Sequence, residues 1–179
     1  HVVIENTTYR EAPFRGTIAE ADIPLDSSTT MMTAVLNTLE RNGFAWRNST
    51  GASDKKIEYL ASISKDGREL GEFDGGPQSG WMGILNDWFT NEGFQSFKAD
   101  ASARDYRIVD GDEIRVMYTS SGLGEDLGGT WHNSDTSLKS LSISGGRLYP
   151  AFDGEVKEYL LIRSGSDISV LPTAANKNY

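Results

Sequence analysis

The sequence has 179 residues and a formal net charge of −9, which allows one ordinary domain and part of a second. Acidic and basic residues are mixed along the whole chain, and this disfavours nucleic acid as a partner because proteins that bind phosphate backbones concentrate positive charge. The lack of cysteine excludes disulfides and thiol chemistry, but it does not decide between a cytosolic and a secreted protein. No apolar run approaches the ~20 residues that span a bilayer, so no membrane span is predicted.

The first elements along the chain are predicted to be two strands and a helix. β-Branched residues favour a short strand over residues 2–4, and a second extended stretch covers about residues 14–25. A helix is predicted over about residues 30–42, with Ser28 or Thr29 as its N-terminal cap. The helix prediction depends on one apolar stripe: Met32, Val35, Leu36 and Leu39.

The middle of the chain alternates between polar turns and short strands. Small and polar residues predict a loop over residues 47–56, and alternating apolar residues then predict a strand over residues 57–63. A turn is expected at Asp66-Gly67. Residues 72–80 are rich in glycine and should form an irregular loop, because glycine and proline break both helices and strands. This loop precedes an aromatic strand over about residues 81–88.

A tight acidic turn at residues 110–113 is expected to lead into a closing strand at residues 114–118. The glycine-rich residues 120–129 are typical of a linker. The composition changes beyond Trp131, which predicts a second unit. Three strand-like runs follow, at residues 138–143, 159–162 and 168–171.

The first 119 residues resemble the β-grasp domain found at the C-terminus of transcobalamin and intrinsic factor. The resemblance depends on Gly80-Trp81-Met82, Asn91-Glu92-Gly93 and the turn Asp110-Gly111-Asp112-Glu113-Ile114, in this order after the helix. It implies a mixed sheet with one main helix. It also implies that the aromatic strand faces a ligand, which is a corrinoid in that family.

Residues 137–153 look like the start of a cadherin-like β-sandwich repeat of bacterial surface proteins, and the pattern continues through Glu158-Tyr159 and Pro172-Thr173-Ala174. The resemblance implies a secreted or cell-surface protein, most typical of Gram-positive bacteria. The remaining strands of such a sandwich are missing here, so its apolar faces need cover. Strand-mediated self-association is one predicted source of that cover.

The candidate ligand site combines the glycine-rich loop with neighbouring aromatic residues. Glycines let a backbone approach a ligand closely, and rigid aromatic side chains bind ligands at a small entropic cost. Trp81 is expected in the core, whereas Trp88 and Phe89, which have polar neighbours, are expected to be exposed. The predicted ligand-binding residues are Asp74, Gly75, Gly76, Trp81, Trp88 and Phe89.

No convincing catalytic or metal-binding set emerges from the sequence. His1 is terminal and His132 directly follows the predicted linker, so neither suits a Ser-His-Asp triad. Calcium is a candidate ligand of the acidic residues, but solvated turns are the better interpretation because no EF-hand spacing is present. These acidic residues are Glu72, Asp74, Asp110, Asp112, Glu113, Glu125 and Asp126.

The sequence therefore predicts an α+β protein with a β-grasp-like domain at residues 1–119, a linker at 120–131 and an incomplete all-β sandwich segment at 132–179. The predicted function is non-catalytic: an extracellular module that binds a small molecule, a glycan or a protein. No cofactor is required by this prediction. Two alternatives stay open, namely a cobalamin-binding half-site and a purely architectural spacer.

Overall fold

The structure is a computed structural model that describes residues 1–51, 55–86, 88–90, 92–127 and 137–175. Helix and strands are both present, which places the protein in the α+β class. The chain divides into two compact units, His1–Asn133 and Ser134–Tyr179. The dividing point lies close to the predicted start of the second segment at residue 132. His132 and residues 128–131 of the predicted linker lie outside the described residues.

The first unit contains one α-helix, eight strands and short 3-10 turns in its described part. A five-stranded sheet has the order β2-β1-β8-β6-β7. The central strand β8 is parallel to its neighbour β1, and the other neighbouring pairs are antiparallel. The elements of the unit are β1 (Val2–Asn6), β2 (Gly16–Ala21), α1 (Met31–Arg41), β3 (Ala45–Thr50), β4 (Glu58–Lys65), β5 (Arg68–Gly71), β6 (Gly80–Leu85), β7 (Trp88–Phe89) and β8 (Ile114–Thr119).

Helix α1 forms where its apolar stripe predicts it. Its cap is Thr30 rather than Ser28 or Thr29, because the Thr30 side chain accepts a hydrogen bond from the backbone N–H of Thr33 at 3.0 Å. The buried helix face packs into the core of the unit, although Leu36 is only half-buried. The buried residues of α1 are Met31, Met32, Ala34, Val35, Thr38 and Leu39.

A second sheet of the first unit has the order β3-β4-β5. The prediction of a loop over residues 47–56 is wrong for Arg47 to Thr50, because these polar residues form most of β3 and pair with β4. Backbone pairing outweighs the polar character of this exposed strand. The predicted turn at Asp66-Gly67 is confirmed. Both of its residues have positive φ, at +52° and +73°, as a two-residue hairpin between β4 and β5 requires.

The predicted linker is folded over the part that the structure describes. Residues 120–127 turn back at the end of β8, and Asp126 accepts hydrogen bonds there from the hydroxyl and N–H of Ser120 and from the hydroxyl of Thr119. Burial opposes ionisation of Asp126, but these hydrogen bonds outweigh it and hold the pKa of the carboxyl below its usual value. Asp126 therefore fixes a turn on the first unit.

The second unit consists of two separate two-stranded antiparallel sheets in its described part, β9 with β12 and β10 with β11. The strand-like runs of the sequence are confirmed as β9 (Leu138–Ser144), β11 (Leu160–Arg163) and β12 (Ser169–Ala174), with β10 (Gly146–Tyr149) between them. Their apolar side chains are largely unburied. The exposed ones are Leu138, Tyr149, Leu160, Leu161, Ile162, Val170 and Leu171.

Candidate functional site

The aromatic pair Trp88 and Phe89 does not form an exposed surface. Their side chains are 9% and 1% exposed, so the expectation of exposure is wrong. Both residues lie in β7, which pairs with the end of β6 at Ile84 and Leu85. Phe89 is also covered by the turn after β8, since a Cβ added to Gly124 would lie 3.2 Å from Cζ of its ring.

The glycine-rich loop is closed onto the hydroxyl of the buried Tyr118. This hydroxyl donates a hydrogen bond to the carbonyl of Gly71 at 2.9 Å and accepts one from the N–H of Gly75 at 3.0 Å. It also lies 3.0 Å from Oγ of Ser79, which donates to the carbonyl of Gly76. One side chain of β8 thus connects both ends of the loop.

Three predicted site residues, Asp74, Gly75 and Gly76, shape this loop. A Cβ on Gly75 would lie 3.2 Å from Cβ of Ser79, so the close contact with Ser79 and Tyr118 favours glycine. Gly76 has φ of +127°, which L side chains rarely adopt. The Asp74 carboxylate accepts a hydrogen bond from the N–H of Gly71 at 2.8 Å. The glycines allow the loop to fold on itself, and these three residues do not line the cavity described below.

Replacing Tyr118 with phenylalanine is expected to lower the free energy of unfolding of the first unit by about 2 kcal/mol. The substitution keeps the buried ring but leaves the buried carbonyl of Gly71 without its hydroxyl donor. Urea denaturation followed by tryptophan fluorescence measures this loss, because all four tryptophans lie in residues 1–133. Tyr106→Phe is the matched control. The Tyr106 ring packs on Phe97, and its hydroxyl makes no hydrogen bond within the described residues.

The same variant should change the stability at alkaline pH. Burial raises the pKa of Tyr118, against the smaller effect of its hydrogen bonds, above the ordinary value of about 10. The unfolded chain therefore releases this proton first as the pH rises, and stability is lost above about pH 10. Tyr118→Phe should make that loss shallower. If the original protein and the variant lost the same stability at alkaline pH, this would contradict the burial of the Tyr118 hydroxyl.

A cavity of about 370 Å³ lies beside β6 in the first unit. Trp81 is the one predicted site residue that lines it. The wall is mainly apolar and combines β6 with the ends of the glycine-rich loop, the start of β4, the segment after β7, and the end of β8 with the turn that follows it. The lining residues are Ile57, Tyr59, Glu72, Phe73, Ser79, Gly80, Trp81, Met82, Gly83, Thr90, Glu92, Gly93, Phe94, Thr119 and Leu123.

Two large apolar residues of the lining are exposed and conformationally strained. Phe73 is 62% exposed with φ of +69°, and Leu123 is 58% exposed with φ of +53°. A left-handed backbone costs a bulky residue about 1–2 kcal/mol relative to its usual conformations. Hydrogen bonds hold each turn in place, from the N–H of Phe73 to the carbonyl of Ser79 and from the N–H of Gly124 to Oγ1 of Thr119.

Trp81 is buried, as predicted, and lies at the inner side of the cavity wall. Its ring meets the Tyr118 ring edge to face, with 5.1 Å between the ring centroids. The indole Nε1 is buried and has no hydrogen-bond acceptor within the described part of the chain. A buried unpaired donor is unfavourable by about 1–3 kcal/mol. An acceptor atom on a bound molecule is one group that would satisfy it.

Metal-binding clusters and membrane-spanning helices are both absent from the residues that the structure describes. In residues 1–51, 55–86, 88–90, 92–127 and 137–175, His, Asp and Glu side chains do not gather in groups of three that would hold a metal ion. Over the same residues, no helix combines the length and the apolar character needed to cross a bilayer.

No protein-family model, curated protein or solved structure matches this chain. The transcobalamin-like and cadherin-like resemblances therefore stay predictions from the sequence. The cavity and its residues are the features of the chain that point to a function.

Proposed function

We propose that this protein is a non-catalytic binding module whose first unit holds a small, mainly apolar molecule in the cavity beside β6. The observation that carries this proposal is the pair Phe73 and Leu123. Both line the cavity, and both keep a large apolar side chain exposed on a left-handed backbone. Such conformations are unfavourable, and bulky residues in them cluster at ligand-binding positions.

Binding would recover part of the free energy that this arrangement costs. Covering apolar surface stabilises a complex by roughly 25 cal/mol for each Å² removed from water. A volume of about 370 Å³ lies at the lower end of the range of roughly 300–1,000 Å³ for small-molecule sites. The cavity therefore suits a molecule of modest size, and a corrinoid would have to bind at the surface as a half-site.

The sheet supports a β-grasp fold for the first unit as part of this proposal. A hairpin of β1 and β2 is followed by α1, and the last strand, β8, lies parallel to β1 in the centre of the sheet. The proposed position of the site on β6 agrees with the transcobalamin-like resemblance. The proposal of a secreted or cell-surface location depends on the cadherin-like resemblance of the second unit.

An architectural spacer is the second candidate function, and a specific observation favours it. The burial of Trp88 and Phe89 removes the flat aromatic surface predicted from the sequence. The exposed strand faces of the second unit suit a segment that packs against another part of a longer assembly. A spacer would leave the cavity without a ligand, so a binding experiment separates the two candidates.

A screen of small apolar compounds is expected to find ligands that shift the Trp81 indole resonance in NMR spectra of the full chain, and cobalamin and glycans are tested beside them. In the double variant Phe73→Gly and Leu123→Gly, these ligands should bind at least about fivefold more weakly, because the variant removes two apolar walls. Its stability should stay within about 1 kcal/mol of the original protein. Glycine relieves the left-handed strain while making the unfolded chain more flexible.

Asp66→Gly is the matched control, since Asp66 also has positive φ but lies in the β4–β5 hairpin away from the cavity lining. Its binding should equal that of the original protein. The proposal is wrong if no compound shifts the Trp81 resonance. It is equally wrong if ligands bind the double variant as tightly as they bind the original chain.

A further inference from the structure

The charged residues among the cavity lining are both glutamates, Glu72 and Glu92. Both are half-buried, and neither makes an ion pair or a side-chain hydrogen bond within the described residues. Lys56 adjoins the lining residue Ile57 in the sequence, but it does not line the cavity. The apolar cavity therefore carries negative charge that no basic residue balances in the part of the lining that the structure describes.

This environment favours a cationic group on the ligand. A carboxylate in a partly buried, apolar setting attracts a positive charge more strongly than it does in water, because screening is weaker there. The faces of aromatic rings attract cations as well. Tyr59, Phe73, Trp81 and Phe94 supply four aromatic side chains to the same wall. An anionic ligand would meet repulsion from both glutamates.

We infer that the cavity binds a free small-molecule amine, which is a compound with an apolar body and one protonated nitrogen. This inference rests on the proposed function. The apolar body contacts the rim at Phe73 and Leu123, and the ammonium group pairs with Glu72 or Glu92. The net charge of −9 adds a weak long-range attraction for cations. The apolar cavity and its two unpaired carboxylates together carry this inference.

Three probes that share a phenyl body test this inference: 2-phenylethylamine, 2-phenylethanol and phenylacetate. Dissociation constants come from NMR titration of the full chain, followed at the Trp81 indole and at the amides of Gly80 and Gly83. The amine is expected to bind about tenfold more tightly than the alcohol, and phenylacetate more weakly than the alcohol. Rising salt should reduce the advantage of the amine.

The double variant Glu72→Gln and Glu92→Gln should reduce the difference between amine and alcohol to about twofold or less. The affinity of the same variant for the alcohol supplies the reference for this comparison. Glu40→Gln, on the exposed side of α1, is the matched control and should keep the original order of affinities. If the double variant does not fold, the salt dependence of the original protein measures the same ion pairing.

The outcomes separate this inference from the proposed function. Alcohol binding as tight as amine binding in the original protein would overturn the amine inference and leave the binding module intact. So would an amine advantage that survives both the double variant and high salt. If none of the three probes shifts the Trp81 resonance, the amine inference fails, whereas the proposed function fails only if the wider compound screen also finds no ligand.

Discussion

Replacing Leu39 with alanine is expected to lower the free energy of unfolding of the first unit by roughly 2–5 kcal/mol. Leu39 is fully buried on the core face of α1, where it belongs to the cluster that joins the helix to both sheets. The substitution removes three carbon atoms from this core and leaves a cavity that the surrounding residues fill only in part. Urea denaturation followed by tryptophan fluorescence measures the change.

Leu36→Ala is the control on the same helix. Leu36 is half-buried at the edge of the core, so the same change of side chain should cost less than half as much. The helix propensity of leucine and alanine is nearly the same for both variants. Equal losses at the two positions would show that the helix does not present Leu39 to the core.

The helix and the buried strands could be predicted from the sequence because burial imposes a periodic pattern. Apolar residues recur every three or four positions in α1 and at alternate positions in β8, and the structure confirms both. Strand β3 has no such pattern. Four of its six residues are polar, the strand is largely exposed, and its pairing with β4 decides its conformation. A contact between strands leaves little trace in one strand's composition.

The candidate site could be predicted only in part. Trp81 was identifiable because it follows a glycine-rich loop at the start of an aromatic strand. The left-handed conformations of Phe73 and Leu123 have no signal in the sequence, since these residue types rarely adopt positive φ. The closure of the loop by Tyr118 joins residues 39 and 47 positions apart. Short-range patterns do not carry such information.

The exposure of Trp88 and Phe89 was predicted wrongly because their polar neighbours suggested a surface. Asn86 is itself buried, and its side chain donates a hydrogen bond to Asp112 at 3.1 Å and accepts one from the N–H of Glu113. Its polar groups are therefore satisfied inside the protein, as buried polar groups usually are. Polar residues next to an aromatic residue form hydrogen bonds either with water or inside the protein. They therefore do not show whether the aromatic residue is exposed.

Replacing Gly83 with alanine is expected to destabilise the first unit by about 1–3 kcal/mol or more. Gly83 lies in the middle of β6, and its missing side chain makes room for the buried Phe94 and Met31. An added Cβ would lie 2.6 Å from Cζ of Phe94 and 2.8 Å from Cε of Met31, closer than real Cβ contacts. The Phe94 ring also lines the cavity, so its displacement should weaken ligand binding.

Gly80→Ala is the matched control on the same strand. Its added Cβ would lie 3.7 Å from Cβ of Glu72, which is an ordinary contact, so its stability should change by less than about 1 kcal/mol. The comparison between the two variants removes the general effect of placing alanine in a strand, because both make the same change in β6. A loss that is equal at Gly80 and Gly83 would contradict the close packing of Phe94 on the strand. A larger loss at Gly83, accompanied by weaker ligand binding, would connect the core of the first unit directly to the shape of its cavity.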